Sequence, residues 1–430
     1  MKKAGIDRRT FLKGMGLGGL AYLIGSHFRA PAQVTAATAQ TARSLNIVDY
    51  LNSNRSIQNA IDDVQAAGGG ELYFPPGLYY TDDTLVIKGD NVILKGANKT
   101  SSIIAARSFD ISKNLLEIRK SSGRIANVKI QDLTLTSDAR KASARNNDTS
   151  FYNHGIVLDA SHNVEFQNIR VDHFNGDGLR FEDRNAEGGP DQVIITNSTF
   201  VACMNGLNTN DTGHSTHIYG GTFEFNAKHG INTGGRNSVF IKDADLEQNH
   251  MAGLRISHSS NIVVRDCTFE NNARKVSLSD KKHAHIVVGD TAVAQNIVID
   301  SCYFHARKMR YLISVERGNH ISIANNFVDY ADQFGTTAGA FVQVGQGCRN
   351  IFCDDFSYRQ KPKVKRLSNH QYAVSDLKPS AIPSLPVPNE SLRGFITRVE
   401  GGSGKRDAFY VCIKTENGGY KWARINLTDL

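Results

Sequence analysis

His154-Gly155-Ile156-Val157-Leu158, Asp177-Gly178-Leu179-Arg180-Phe181, Asn205-Gly206-Leu207-Asn208-Thr209, His229-Gly230-Ile231-Asn232-Thr233 and Ala252-Gly253-Leu254-Arg255-Ile256 are versions of one phrase. A second phrase alternates with it: Val164-Glu165-Phe166-Gln167-Asn168, Val193-Ile194-Ile195-Thr196-Asn197, Val239-Phe240-Ile241-Lys242-Asp243 and Ile262-Val263-Val264-Arg265-Asp266. The small polar residue that closes it recurs at 132, 168, 197, 220, 243, 266, 301 and 325, with glycine at 220. Between 197 and 266 the step is 23 residues three times over, and longer steps read as the same unit with a loop inserted. Self-similarity at a fixed period marks a solenoid or an array.

Each unit holds two or three strands of three to five residues, separated by Asn, Asp, Ser or Gly. That is too short for a pair of helices and suits the coil of a parallel β-helix, with coils stacked about 4.8 Å apart. Side chains alternate in and out along a strand. The residue after the glycine therefore fills the interior, and the next one faces solvent. Two outer columns follow: Val157, Arg180, Asn208, Asn232, Arg255, and, just before the glycines, His154, Asp177, Asn205, His229, Ala252.

The start of the chain reads as an export signal. Asp7-Arg8-Arg9-Thr10-Phe11-Leu12-Lys13 is a twin-arginine motif, followed by a glycine-rich, mildly apolar run to Ile24 and a small-x-small site at Ala30-Pro31-Ala32. The run is too short and too weakly apolar to span a bilayer. Residues 1–32 are thus expected to be removed, with the twin-arginine machinery as partner. A periplasmic or extracellular location follows, without stable membrane insertion after cleavage. Lys2, Lys3, Arg8, Arg9, Lys13 and Arg29 against Asp7 lie in this segment, so of the formal net charge of +8 only +3 belongs to the remainder. The basic isoelectric point is therefore a poor argument for nucleic acid, and the compartment argues against it too. Six cysteines show neither paired nor zinc spacing. Cys267 and Cys302 occupy the same place in their coils, as interior packing or as a disulfide.

Ser56 opens a short amphipathic helix with Ile57, Ala60, Ile61 and Val64 on one face, and Gly68-Gly69-Gly70 stops it. Such a helix plugs the apolar end of a solenoid. Ser56-Ile-Gln-Asn-Ala-Ile-Asp62, Gly68-Gly-Gly-Glu-Leu-Tyr-Phe-Pro-Pro-Gly-Leu-Tyr79 and Val92-Ile-Leu-Lys-Gly96 together resemble the opening of the pectate-lyase superfamily, which is related to rhamnogalacturonases and polygalacturonase-type hydrolases. The resemblance covers about residues 44 to 105, and the coil repeats carry it to about 356. The family's Asp-rich segment before the helix is absent; Thr81-Asp82-Asp83-Thr84 lies after it. The resemblance implies an all-β, right-handed parallel β-helix over 44–358 and activity on polysaccharides. Beyond it, Lys361-Pro-Lys-Val-Lys-Arg366 and Pro379, Pro383, Pro386 and Pro388 read as a linker over 359–390. Three alternating segments then predict a small β module over 391–430, with Trp422 in its core rather than stacked on sugar.

Polar inserts from Thr136 to Phe151 and from Phe181 to Asp191 border the Asp177 phrase, where a rigid scaffold carries binding loops. If the columns stack, Asp177, Arg180, His229 and Arg255 form a catalytic set. Asn208, Asn232, Glu182, Asp211 and His154 are then candidate substrate ligands. Hydrolysis of a glycosidic bond needs two carboxyl groups. Against the polygalacturonase-type motifs the chain is similar in part: Asn175-Gly176-Asp177, Lys228-His229-Gly230 and Arg255-Ile256-Ser257. The second motif is missing, so a hydrolase would recruit Asp211 or Glu182. A uronate lyase or epimerase needs cations for the sugar carboxylate and a base for the C5 proton. Arg180 and Arg255 suit the first role, His229 the second, and the asparagines a developing enolate. No cofactor is implied, and no acidic cluster has calcium-loop spacing, although calcium stays open. The partner expected is an anionic polysaccharide. A non-catalytic carbohydrate-binding or surface protein is the rival reading, but such a protein should carry aromatic residues along these columns.

Overall fold

The computed structural model describes residues 44–107, 113–137, 153–235, 238–305, 309–329, 340–345, 348–353, 357–358, 381–382, 385–393, 396–399 and 408–425. The expected signal peptide, most of the first insert and most of the linker lie outside them. Among the described residues no helix is long and apolar enough to cross a membrane.

The chain winds as an all-β parallel solenoid. Every turn adds one strand to each of three parallel sheets, of twelve, eleven and ten strands. Ser161–Gln167, Arg170–Asp172 and Leu179–Phe181 are the three strands of one coil. The corner between the first two explains the recurring polar letter. Asp132, Asn168, Asn197, Gly220, Asp243, Asp266, Ser301 and Asn325 all have φ between 48° and 67°. That left-handed conformation is strained for most L-residues and is best tolerated by Gly, Asn and Asp, whose short polar side chains bond locally. Where stacked corners both carry amides or carboxylates they bond to each other, as Asn168 Nδ2 does to Asp132 Oδ1 at 2.6 Å.

The interior is filled in columns. Ile156, Leu179, Leu207, Ile231 and Leu254, the residues after the glycines, are all 0% exposed. In the second sheet Phe200 stacks on Phe223 at 5.2 Å and Phe269 on Phe304 at 5.1 Å, each pair contributing about 0.5–1.5 kcal/mol beyond its burial. Cys267 and Cys302 sit in adjacent coils, buried and free, so they pack the interior.

The N-terminal end is covered by α1 (Ile47–Asn52), which the periodicity did not announce, and α2 (Ile57–Ala66). Ser56 Oγ accepts from Asn59 N at 3.1 Å, while Asn59 Oδ1 accepts from Ser56 N at 2.9 Å, a reciprocal cap for α2. The face of Ile57, Ala60, Ile61 and Val64 is buried. At the other end of the chain, Ile396–Val399, Ala408–Lys414 and Tyr420–Ile425 form an antiparallel sheet, which Ala381–Ile382 joins in parallel. Trp422, partly buried, pairs with Cys412 across this sheet and donates from Nε1 to Pro386 O at 2.7 Å.

Candidate active site

The glycine of each phrase is required by how closely the coils stack. A Cβ on Gly178 would lie 2.7 Å from the Gly206 carbonyl oxygen, and one on Gly206 would lie 2.6 Å from that of Gly230. The backbone thus passes its neighbour with no room for a side chain. This contact keeps successive phrases in register: Gly178 N donates to Asn205 O, Gly206 N to His229 O and Gly230 N to Ala252 O.

Two columns result in the third sheet. Val157, Arg180, Asn208, Asn232 and Arg255 pair directly, strand to strand, and the column continues through Glu117 on one side and Val287 on the other. From Arg180 to Arg255 is three strand spacings, about 14 Å. These side chains do not stand free in solvent, as alternation alone suggests. Val157 is 0% and Asn208 8% exposed. Asn208 is covered because the polar residues bond to one another along the row.

Asp177, 1% exposed, is the hub. Its Oδ1 accepts from Asn205 Nδ2 at 2.6 Å and from Asn205 N at 3.3 Å. Its Oδ2 accepts from Asn208 Nδ2 at 2.8 Å and Arg180 NH1 at 3.2 Å. Asn208 Oδ1 then accepts from Asn232 Nδ2 at 2.9 Å, and Asn232 Oδ1 from Arg255 NH1 at 2.8 Å. Arg255 also donates from Nε to Asp290 at 3.0 Å, and Lys282 reaches the same carboxylate at 3.0 Å. On the other side Arg180 Nε bonds Glu182 at 3.0 Å; Arg184 bridges Glu182 and Glu117, and Arg119 pairs with Glu117.

Both arginines expected to clamp a carboxylate are thus already paired, Arg180 with Asp177 and Glu182, Arg255 with Asp290. Glu182 is likewise engaged rather than open to a ligand. Asp211 does not join the row; it lies on the turn after Thr209 with its side chain 65% exposed, facing His258 Nε2 at 3.8 Å. Asp290, Glu117 and Lys282 were missed because their coils lack the glycine phrase, and Arg184 because it lies in the insert after Phe181 rather than in the phrase itself. The alternating Leu116-Glu117-Ile118 was the one local sign of membership.

His229 is 7% exposed. Its Nδ1 lies 3.3 Å from Ala252 O, a bond that only a protonated nitrogen can make, so the lone pair is on Nε2. Nε2 has no partner among the described residues and is not among their buried unsatisfied atoms, so it opens to solvent. Burial, reinforced by the Arg255 charge, pushes its pKa down to about 3 and keeps the ring neutral. His154 is the opposite tautomer: its Nδ1 accepts from Asp177 N at 2.8 Å. That nitrogen also lies 3.7 Å from Asp177 Oδ2, but a neutral acceptor makes no ion pair there. Burial lowers the His154 pKa despite the pull of Asp177. Burial works against ionisation of Glu117 and Asp290 as well. Asn114, Arg119 and Arg184 around the first, and Arg255 and Lys282 around the second, outweigh it and hold both carboxyls below their ordinary range.

His285, fully buried, is also held at about 3; its Nε2 faces His305 O at 3.0 Å and its Nδ1 meets Asn272 Nδ2 at 3.1 Å. The unfolded chain binds protons on His229 and His285 from the ordinary value of 6.5 downward, and the folded chain refuses them until about pH 3. Stability therefore falls as pH falls through this window, by roughly 2.7 kcal/mol per pH unit at full effect for the two rings. Urea unfolding at pH 7 and pH 5 should show a marked loss at pH 5; equal midpoints would mean both rings protonate in place.

Residues 154–328 match the family model described as right handed beta helix region. Over that stretch the chain is a right-handed β-helix. This β-helix protein is 30% identical over 201 residues to the mannuronan C5-epimerase AlgE6 of Azotobacter vinelandii. The match covers 43% of the chain and about a fifth (21%) of that relative's length. Among solved structures, a DFA-IIIase of Arthrobacter chlorophenolicus A6 superposes with a TM-score of 0.52 at 11% identity, covering 73% of this chain and 83% of that one. The Dettilon tailspike protein gives 0.52 at 14% identity, covering 70% and 58%. At these identities the likeness is one of fold. Among the described residues, no three His, Cys, Asp or Glu side chains are grouped to hold a metal ion.

Proposed function

We propose that this protein is an enzyme acting on a uronic-acid-containing polysaccharide, and that it works by removing the proton at C5 of a uronate residue. The observation that carries the reading is the state of His229. It is a neutral imidazole fixed through Nδ1 to a backbone carbonyl, with a free lone pair on Nε2, in a row of ordered polar groups. The likeness to a mannuronan C5-epimerase supports the same reading.

The C5–H electron pair passes into the sugar carboxylate as an enolate while Nε2 takes the proton. Asn208 and Asn232, whose orientations are set by Asp177 and Arg255, lie on the other outer column of the same sheet. In elimination a C4=C5 double bond forms, the C4–O bond breaks with its electron pair, and the proton on Nε2 returns to the departing oxygen. Epimerisation instead needs a proton delivered to the other face. Among the described residues His154, the nearest other imidazole in its column, is three strand spacings away, about 14 Å. This favours elimination, in which one group serves as both base and acid. Hydrolysis fares less well, because Asp177 and Glu182 are occupied by donors and Asp211 lies off the row. Export on the Arg8-Arg9 motif belongs to the same proposal and brings the enzyme to extracellular polymer.

The test is incubation with polymannuronate, polygalacturonate, rhamnogalacturonan and a glycosaminoglycan in D2O. An ultraviolet-absorbing unsaturated end is expected for elimination, and deuterium at C5 in an intact chain for epimerisation. Saturated reducing ends would replace this reading with hydrolysis. Tight binding with no chemical change would make the protein a carbohydrate-binding module.

A further inference from the structure

The outward column of the third sheet is open over only part of its length. Arg180, Asn232 and Arg255 are half-buried, and Asn208 among them is covered by its neighbours in the row. Val157, on one side of this stretch, is 0% exposed; Val287 and Ser314, on the other, are 2% and 0% exposed. All three point away from the interior, since the residues on either side of each, such as Ile286 and Val288 around Val287, belong to the core. Something therefore lies over the sheet at both ends of the open stretch.

At the C-terminal end the cover is a crossbar of ion pairs. Residues 271–283 enter ahead of the strand Ala284–Val288, and Asp290 follows it on the far side. Lys282 Nζ bonds Asp290 at 3.0 Å, so the pair runs along the outer face of that strand, over Val287. Lys281 reaches diagonally to the next coil, where it pairs with Glu316 just past Tyr311–Val315. Glu316 Oε1 also accepts from Ser314 Oγ at 3.2 Å, which holds the carboxylate over the covered serine. Arg310 pins the insert down. Its NH1 donates to Leu278 O at 3.1 Å and to Ser279 O, its Nε donates to the Tyr311 hydroxyl at 2.9 Å, and the guanidinium lies 5.1 Å over the Tyr311 ring. At the N-terminal end Asn114, ahead of the strand Leu116–Ile118, and Arg119, after it, both bond Glu117, and Arg184 reaches the same carboxylate. The loop that carries Arg184 is tied to the first coils by Arg124 NH1 to Glu187 O at 2.8 Å and by Asn185 Nδ2 to Lys120 O at 3.2 Å.

The open stretch thus spans four strands, with His229 on the third of them. The crossbar begins two strand spacings beyond His229, about 10 Å away. A polymer laid along the axis meets a barrier on either side and can bring only a terminus to the histidine. We propose that the protein acts at chain ends, with the Lys282–Asp290 and Lys281–Glu316 pairs as the stop against which the terminal sugars rest. This rests on the reading of the row as a uronate site and adds which part of the polymer enters it.

The test compares turnover of polymannuronate and polygalacturonate, intact and pre-cut to shorter chains, at equal uronate mass below KM. In that regime the rate follows the concentration of reactive positions, so chains cut to about a tenth of their length should react about tenfold faster. The viscosity of the long polymer should hold while small unsaturated products or C5 deuterium accumulate. Equal rates on long and short chains, or an early fall in viscosity, would mean that the polymer crosses the row at right angles and reacts internally. The stop would then fall and the uronate reading would stand. No turnover of either polymer would remove the uronate reading and the stop with it. Arg310→Gln combined with Lys281→Gln should unpin the insert and bring the tenfold ratio toward one, with folding checked by circular dichroism. An unchanged ratio in the folded variant would overturn the assignment of the crossbar. Where the double change unfolds the chain, Lys281→Gln alone is read in the same way.

Discussion

His229→Ala should lower kcat on the uronate polymer by about 10²- to 10⁴-fold, the span attributed to one positioned proton-transfer group. KM should change little, because the ring bonds through Nδ1 to the backbone Ala252 O, and the residue's own amide, which donates to Asn205 Oδ1, survives the truncation. The pH profile separates a base from a structural histidine. In the free enzyme the ring takes a proton only near pH 3, so kcat/KM should stay level from pH 8 down to about 5. An acid limb breaking near the ordinary histidine value would mean that the ring is solvated and that burial does not set its state. Unimpaired turnover by His229→Ala would remove it from the chemistry.

Asp177→Ala should cost about 3–5 kcal/mol of stability, measured by urea unfolding, because it strands the donors of Arg180, Asn205 and Asn208 in a buried row. Asp177→Asn should also destabilise, since one of its side-chain ends would turn an N–H toward a donor. A solvated carboxylate would give less than about 0.5 kcal/mol on either change. That result would show that the row does not depend on Asp177. Activity should fall with Asp177→Ala even where the protein stays folded, because Asn208 loses the partner that aims it.

How much of this could be read from the letters depends on what enforces each feature. The winding was legible because two backbone demands leave residue-type signatures. From Asp132 to Asn325 the left-handed corner selects Asn, Asp or Gly at every place but Ser301, and the close approach at Gly178 and Gly206 excludes any Cβ. The stacking of Arg180, Asn208, Asn232 and Arg255 followed from the same glycines. What each side chain does in the row was not legible. Arg255 was read as an open clamp because Asp290, 35 residues on, enters from a coil whose strand Ala284–Val288 carries His285 where the glycine would be. Glu182 looked available although its two partners are near in sequence, Arg180 on one oxygen and Arg184 on the other, because alternation does not say which neighbours on one face pair. Charge pairing between coils is a long-range property, and the repeat reveals register but not partners.

The near-identical length of the coils carrying Asn208, Asn232 and Arg255 bears on how such a groove changes over generations. The strands of each turn pair only with those of the turn above and below, so duplicating one such unit in the gene would slide everything downstream along the axis by a single strand spacing without tilting it. The footprint on a sugar chain could then grow or shrink in discrete steps, by copying rather than by redesign, while the position of the reactive histidine relative to one end stayed unaltered.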